Sequence, residues 1–236
     1  PRRFEEKYKE HDPEKYGSDV ARIIESGKTP AGMHISIMVQ EILEVLDIRP
    51  GQVGYDATLG YGGHTRAMLE KLQGQGHMYA TDVDPIESEK TKQRLAEAGF
   101  GEDILTIRRM NFARLDEVAP DQKFDFILAD LGVSSMQIDN PDRGFTFKHD
   151  GPLDLRLDPT SGVSAAERLR ELDQEELAAM LVENSDEPYA DQIARTVMKT
   201  FKKKQPIETT RQLYAVIEQA LSFLPEKERK EAVKKS

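Results

Sequence analysis

The residues with the densest chemical meaning lie together in Asp56-Ala57-Thr58-Leu59-Gly60-Tyr61-Gly62-Gly63-His64. Glycines at 60, 62 and 63 let the backbone turn sharply and come close to a ligand, because glycine has no Cβ to clash and accepts positive φ. Carboxylates recur downstream at Asp82, within Thr81-Asp82-Val83-Asp84-Pro85, and at Asp130. A glycine turn followed by acids at strand ends is the layout of a nucleotide-type cofactor site; an ordinary glycine turn is the alternative. Asp82 is then the candidate acceptor for ribose hydroxyls.

The glycine spacing narrows the cofactor. Gly60-Tyr61-Gly62-Gly63 lacks the third glycine of a G-x-G-x-x-G turn, so a pyrophosphate seated on the helix N-terminus is poorly supported. An acid ending the first strand would also face such phosphates at close range. S-adenosylmethionine fits better, since it has no phosphate, carries a sulfonium and an ammonium, and offers ribose hydroxyls to a carboxylate. No G-x-x-x-x-G-K-[ST] occurs, which argues against phosphoryl transfer from a nucleotide. The histidines, His11, His34, His64, His77 and His149, are scattered without an H-E-x-x-H pairing, and no metal site is expected.

These residues need a scaffold, and the apolar pattern supplies one. Residues 33–46 read as a helix ended by Pro50-Gly51, 52–59 as a strand, 64–72 as a helix, 77–83 as a strand, and 85–98 as a helix opened by a proline. A third strand follows at 104–108, a short helical piece at 112–118, and a fourth strand at 124–129 that ends at Asp130. This alternation predicts an α/β fold with a mostly parallel sheet and right-handed crossovers. Ligands of such sheets lie at the carboxyl ends of the strands, where Asp56, Asp82 and Asp130 fall. Beyond Asp158 only helices are predicted, at 164–170, 174–183, 189–203 and 209–223, and Ser164 with Glu167 and Asp173 with Glu176 have capping-box spacing.

The chain has 236 residues, a length suited to two domains or to one domain with an insertion. A net charge of −10 argues against coating nucleic acid through global charge. Local basic faces remain possible at Lys199, Lys202, Lys203 and Lys204, a run that a helix dipole would also favour, and at Arg143, Lys148 and Arg156. The absence of cysteine rules out disulfides, thiolate metal sites and a cysteine nucleophile. No apolar run approaches the roughly 20 residues of a membrane span, and residues 1–6 open no apolar signal segment. A soluble, cytoplasmic protein without a membrane partner is the expectation.

The longest uninterrupted signal runs from Asp130-Leu131-Gly132-Val133-Ser134-Ser135-Met136-Gln137-Ile138-Asp139 through Arg143-Gly144-Phe145-Thr146-Phe147 to Asp150-Gly151-Pro152-Leu153-Asp154-Leu155-Arg156-Leu157-Asp158. Together with the 56–64 and 81–85 segments, it resembles the ribosomal small-subunit RNA methyltransferase H family, also called MraW, over about residues 33–223. The resemblance implies a class I, Rossmann-like, S-adenosylmethionine-dependent methyltransferase that modifies N4 of a cytosine in the decoding region of 16S rRNA, free or in the small ribosomal subunit, and releases S-adenosylhomocysteine. It implies cofactor contacts at Gly62, Gly63, His64, Asp82, Phe112, Asp130 and Gln137. Phe112 would flank the adenine, Asp82 would accept from the ribose, and Asp130 with the loop would hold the methionine end.

A cytosine amine is a poor nucleophile because its lone pair is delocalised into the ring. The site must therefore align it, exclude water and accept an amine hydrogen. Asp130 is the candidate catalytic acceptor, although Leu131-Gly132-Val133 follows it where an amino-methyltransferase motif would have Pro-Pro-aromatic. Ser134, Ser135, Asp139 and Asp154 are rivals for substrate contact, and Phe145 or Phe147 would support an unstacked base unless buried. The implied organisation is a charged extension at 1–32, a Rossmann-like domain at 33–158, an inserted helical recognition domain at 159–224, and the start of a return segment at 225–236. The sequence departs from the family at its opening, where His-x-Pro-Val becomes His34-Ile35-Ser36-Ile37. It departs again at Lys234-Lys235-Ser236, where the family continues into a Thr-Phe-Gln-Ala-Leu-Arg segment and further strands, so the sheet is expected to be incomplete in this chain. A methyltransferase acting on DNA or another RNA site, and a non-catalytic RNA- or ribosome-binding protein, remain open as alternatives.

Overall fold

In the computed structural model, which describes residues 36–235, the alternating apolar runs become four short strands threaded by helices. The extension, its expected helix near residue 18, and His34 lie outside the described residues. After α1 (Val39–Leu46) come β1 (Val53–Asp56), α2 (Gly63–Leu72), β2 (His77–Asp82), α3 (Pro85–Glu97) and β3 (Leu105–Arg109). A 3-10 turn at Phe112–Arg114 leads into α4 (Leu115–Val118) and then β4 (Phe126–Leu128).

All pairings are parallel and the strand order is β3-β2-β1-β4, with Asp56 in register with Ala80 on one side and Leu128 on the other. The chain winds outward from β1 to β3, then crosses back to place β4 against the opposite side of β1. That reversal puts the topological switch point between the carboxyl ends of β1 and β4, the place where open α/β sheets bind ligands.

β1 and β2 end sooner than their apolar runs predict, and side chains explain both. β1 stops at Asp56 because its Oδ1 accepts the Thr58 amide at 3.0 Å, folding the chain into an Asx turn. β2 stops at Asp82, whose Oδ1 accepts the Asp84 amide at 2.8 Å. Asp84 then caps α3 by accepting from the amides of Ile86 and Glu87, with Pro85 in the first turn. The core beneath the sheet joins Met68, Leu69 and Leu72 of α2 with Met78, Ala80, Leu95, Leu105 and Phe126.

By spatial proximity the chain divides after Ser134 into two units. Residues 135–158, expected from the sequence at the end of the first domain, fall within the second of these units. The reason lies in the backbone: Leu153 donates to the Glu208 carbonyl at 2.8 Å, Thr210 donates to that of Gly151 at 3.0 Å, and the Leu153 side chain is buried in the helical core. This second unit holds α5 (Ser135–Asp139), a 3-10 turn at Pro141–Arg143, α6 (Ala165–Glu171), α7 (Gln174–Ser185), α8 (Ala190–Lys202), α9 (Thr210–Ala220) and α10 (Glu226–Lys235).

Ser164 with Glu167, Asp173 with Glu176 and Thr209 with Gln212 all close as capping boxes, which starts α6, α7 and α9 where the local sequence asks. Leu177, Ile193, Val197, Ile207, Leu221 and Val233 form the centre of the core, each burial stabilising by roughly 1.5–3 kcal/mol. Val233 belongs to α10 and is buried in this helical core.

Candidate functional site

Asp56 anchors the switch point from below. It is 1% exposed, and its Oδ2 accepts the Thr65 hydroxyl at 2.6 Å while Oδ1 serves Thr58. Burial pushes its carboxyl above the usual aspartate range, and the hydrogen bonds from Thr65 and Thr58 oppose that rise. Thr58 in turn accepts the backbone amide of Asp130 at 2.8 Å through its hydroxyl, so the ends of β1 and β4 are tied by one small side chain. Thr58 and Thr65 were not among the residues expected to shape the site. The Asp56-x-Thr58 spacing of an Asx turn was the one available signal.

Above Asp56 the glycine turn enters α2. Gly62 is the N-cap at φ +86°, and a Cβ there would lie 2.6 Å from the Thr91 methyl, so both conformation and space require glycine. A Cβ on Gly63 would come within 2.2 Å of the Ser36 hydroxyl oxygen. The neighbouring Gly60 amide donates to Asp82 Oδ2 at 2.7 Å, which fastens the turn to the end of β2. The two Asp82 oxygens thus accept the Gly60 and Asp84 amides, with the Val83 amide also directed at the carboxylate. Burial raises the Asp82 carboxyl as well, with the Asp84 and Gly60 amides pulling the other way.

His64 is buried in the first turn of α2, where its Nε2 lies 2.8 Å from the Ile37 carbonyl. A carbonyl can only accept, so Nε2 carries the proton. Nδ1 faces Asp130, 3.8 Å from Oδ2, and the Asp130 side chain is half-exposed at 49%. Phe112 opens the turn after β3 with 43% exposure, so its ring is not core packing.

Gly62, Gly63, His64, Asp82, Phe112 and Asp130 therefore fall at the carboxyl ends of the strands or in the turns and first helical turn that follow them. Gln137 lies on α5 in the second unit, half-buried. The crevice presents carboxylates and an exposed ring, which suits cations and hydroxyl donors and repels phosphate. Among the described residues there is no cluster of metal-ligating side chains.

The rival residues fare differently. Asp154 holds Arg156 through both oxygens at 2.7 and 2.8 Å, and that guanidinium keeps its carboxyl below the usual range. Arg143 is buried, its Nη2 donating to the carbonyls of Arg156 and Leu157. The basic loop face expected from Arg143, Lys148 and Arg156 is thus reduced to Lys148, because two of its three cations brace the loop. Ser135 and Asp139 begin and end α5, and Ser134 is the last residue of the first unit. Phe147 packs against Tyr214 at 5.2 Å between ring centroids and stays 40% exposed, whereas Phe145 is half-buried.

The family model described as the MraW methylase family matches residues 31–236. The "Ribosomal RNA small subunit methyltransferase H 1" of Agathobacter rectalis is 66% identical over 237 residues, covering 100% of this chain and 68% of that protein. The protein of the same name from Lachnoclostridium phytofermentans is 60% identical over 237 residues, covering 100% of this chain and 65% of that one. This chain thus spans about two thirds of the length of these relatives. Among solved structures, a SAM-dependent O-methyltransferase from Thermotoga maritima aligns with a TM-score of 0.37 at 16% identity, covering 53% of this chain and 42% of that one. With a parallel sheet ordered β3-β2-β1-β4 and a family match that spans all of the described residues, the chain has a class I, Rossmann-like methyltransferase fold and belongs to the MraW methylase family.

Proposed function

We propose that the crevice binds S-adenosylmethionine and that the chain carries the donor-binding part of a methyltransferase acting on N4 of a cytosine in the decoding region of 16S rRNA. The observation that carries this reading is the meeting of Asp82, Asp130 and the Gly62 turn at the sheet's switch point. The donor set fits: Asp82 keeps acceptor capacity for a ribose diol, the exposed Phe112 ring offers a face to an adenine, and the half-exposed Asp130 carboxylate suits an ammonium. When bound, S-adenosylmethionine supplies an electrophilic methyl carbon on its sulfonium.

The residues of the chain supply position and polarity. Thr58 fixes the Asp130 backbone, and His64, its Nε2 proton engaged by Ile37, turns Nδ1 toward the same carboxylate. Asp130 would accept a hydrogen bond from the exocyclic amine, returning electron density to the nitrogen, and its carboxylate would take the one proton that the amine must give up when it gains the donor's methyl group. The names of the relatives favour ribosomal RNA of the small subunit as substrate. The helical unit offers a surface for RNA along α8, whose Ile193, Ala194 and Val197 are buried while Arg195, Lys199 and Lys202, with Lys203 and Lys204 beyond it, are exposed.

The test is transfer of a labelled methyl group to small ribosomal subunits and to free 16S rRNA, followed by mapping of the modified nucleotide. Label at N4 of one cytosine is the expected result. Equal labelling of unrelated RNA would overturn the assignment.

A further inference from the structure

The turn Gly60-Tyr61-Gly62 has to hold one shape although glycine backbones have little preference of their own. Its shape is imposed by α3, a helix to which the donor site assigns no role. Thr91, fully buried, donates its hydroxyl to the Gly60 carbonyl at 2.6 Å. Arg94 donates from Nη2 to the Tyr61 carbonyl at 3.2 Å and to the Thr91 hydroxyl at 2.6 Å. Its guanidinium carbon also lies 3.7 Å from the Tyr61 ring centroid, a cation–π contact, and its buried Nε has no hydrogen-bond partner among the described residues.

These bonds act on consecutive peptide planes. The Gly60 amide is held by Asp82 and the Gly60 carbonyl by Thr91, so both planes flanking Gly60 are fixed from outside the turn. Because a trans peptide sets its N–H opposite its carbonyl, the Tyr61 N–H is thereby turned away from α3. The Thr91 methyl limits the approach of Gly62 from the same side, as the 2.6 Å clash of a Cβ there shows. Thr91 and Arg94 form one hydrogen-bonded pair that grips two carbonyls and a ring.

We propose that Thr91 and Arg94 are positioning residues for the methyl donor, acting through the Gly60 turn on Asp82 rather than by touching the ligand. The inference rests on the donor-binding reading of the crevice. Loss of the Thr91 hydroxyl releases the Gly60 carbonyl, the turn then moves relative to Asp82, and the carboxylate meets the ribose in a range of orientations instead of one.

The test is calorimetric titration of the whole chain with S-adenosylhomocysteine, comparing the parent with Thr91→Ser, Thr91→Val and Arg94→Lys, together with the amide proton shift of Gly60. Thr91→Val is expected to weaken binding about tenfold, the ratio that one hydrogen bond's net worth converts to. Thr91→Ser, which keeps the hydroxyl, should stay close to the parent. Arg94→Lys, which loses the planar stack on Tyr61, should also weaken binding. The Gly60 amide proton should move upfield in Thr91→Val as its bond to Asp82 lengthens. A parent that binds while Thr91→Val and Arg94→Lys bind as tightly would overturn the inference and leave the donor site standing. A parent that does not bind would instead overturn the donor reading and this inference with it. Should Thr91→Val fail to fold, Arg94→Lys alone decides, since unchanged affinity there contradicts the proposal.

Discussion

Asp56 and Asp82 illustrate how a single buried carboxylate shapes the site at the cost of stability. Both have carboxyls raised by burial, so the folded chain binds protons more tightly than the unfolded chain does. The contribution of these two groups to stability must then fall as pH rises from about 4, the free aspartate value, through their folded-state titration. Asp56→Asn removes one of the two ionisations and keeps an acceptor for Thr58 or Thr65. The stability difference between variant and parent should grow in favour of the variant as pH rises above about 4 and then level off, which urea denaturation across pH would show. A difference independent of pH would mean that Asp56 is not strained by its burial. Asp82 carries the converse expectation for ligand, since only its ionised form accepts from two hydroxyls. Donor affinity should therefore increase with pH through the same acidic range and reach a plateau.

Among the elements, the alternation of strands and helices up to β4 and the helices α6 to α9 were legible from their apolar periods, whereas α5 and α10 were not expected. Capping boxes at Ser164 and Asp173 were legible because they act within three residues, and the structure adds a third at Thr209. What the sequence hid acts over distance. Thr91 reaches Gly60 across 31 positions, Thr58 reaches Asp130 across 72, and neither partner betrays the other by spacing. Arg143 was misread as a surface cation because nothing local says that carbonyls at 156 and 157 will bury it. Strand ends were overrun for the same reason in miniature, since Asp56 and Asp82 interrupt apolar runs by bonding their own next turn.

The turn gives a prediction at this scale. Gly62→Ala meets both a left-handed backbone and the Thr91 methyl, so it should destabilise the chain by about 1–3 kcal/mol and weaken donor binding. A neutral effect in both denaturation and binding would show that the turn is more adaptable than its geometry indicates. In the helical unit, Leu177→Ala should cost about 2–5 kcal/mol by leaving a cavity among α6 to α10.

For the molecule as a whole, a net charge of −10 opposes RNA everywhere except where positive side chains gather. Lys202, Lys203 and Lys204 are exposed at the end of α8, and none makes an ion pair among the described residues. Changing all three to Glu should weaken RNA affinity, reduce the slope of log affinity against log salt by roughly two to three, and leave donor affinity unchanged. Unaltered RNA affinity would return the run to an ordinary solvated helix end. Methyl-donor binding at these strand ends is the central property proposed for the chain, and titration with S-adenosylmethionine by calorimetry tests it most directly. One binding event per chain, weakened about 10- to 100-fold by Asp82→Ala, is the predicted result. No measurable binding by the parent, or equal affinity in parent and variant, would contradict it.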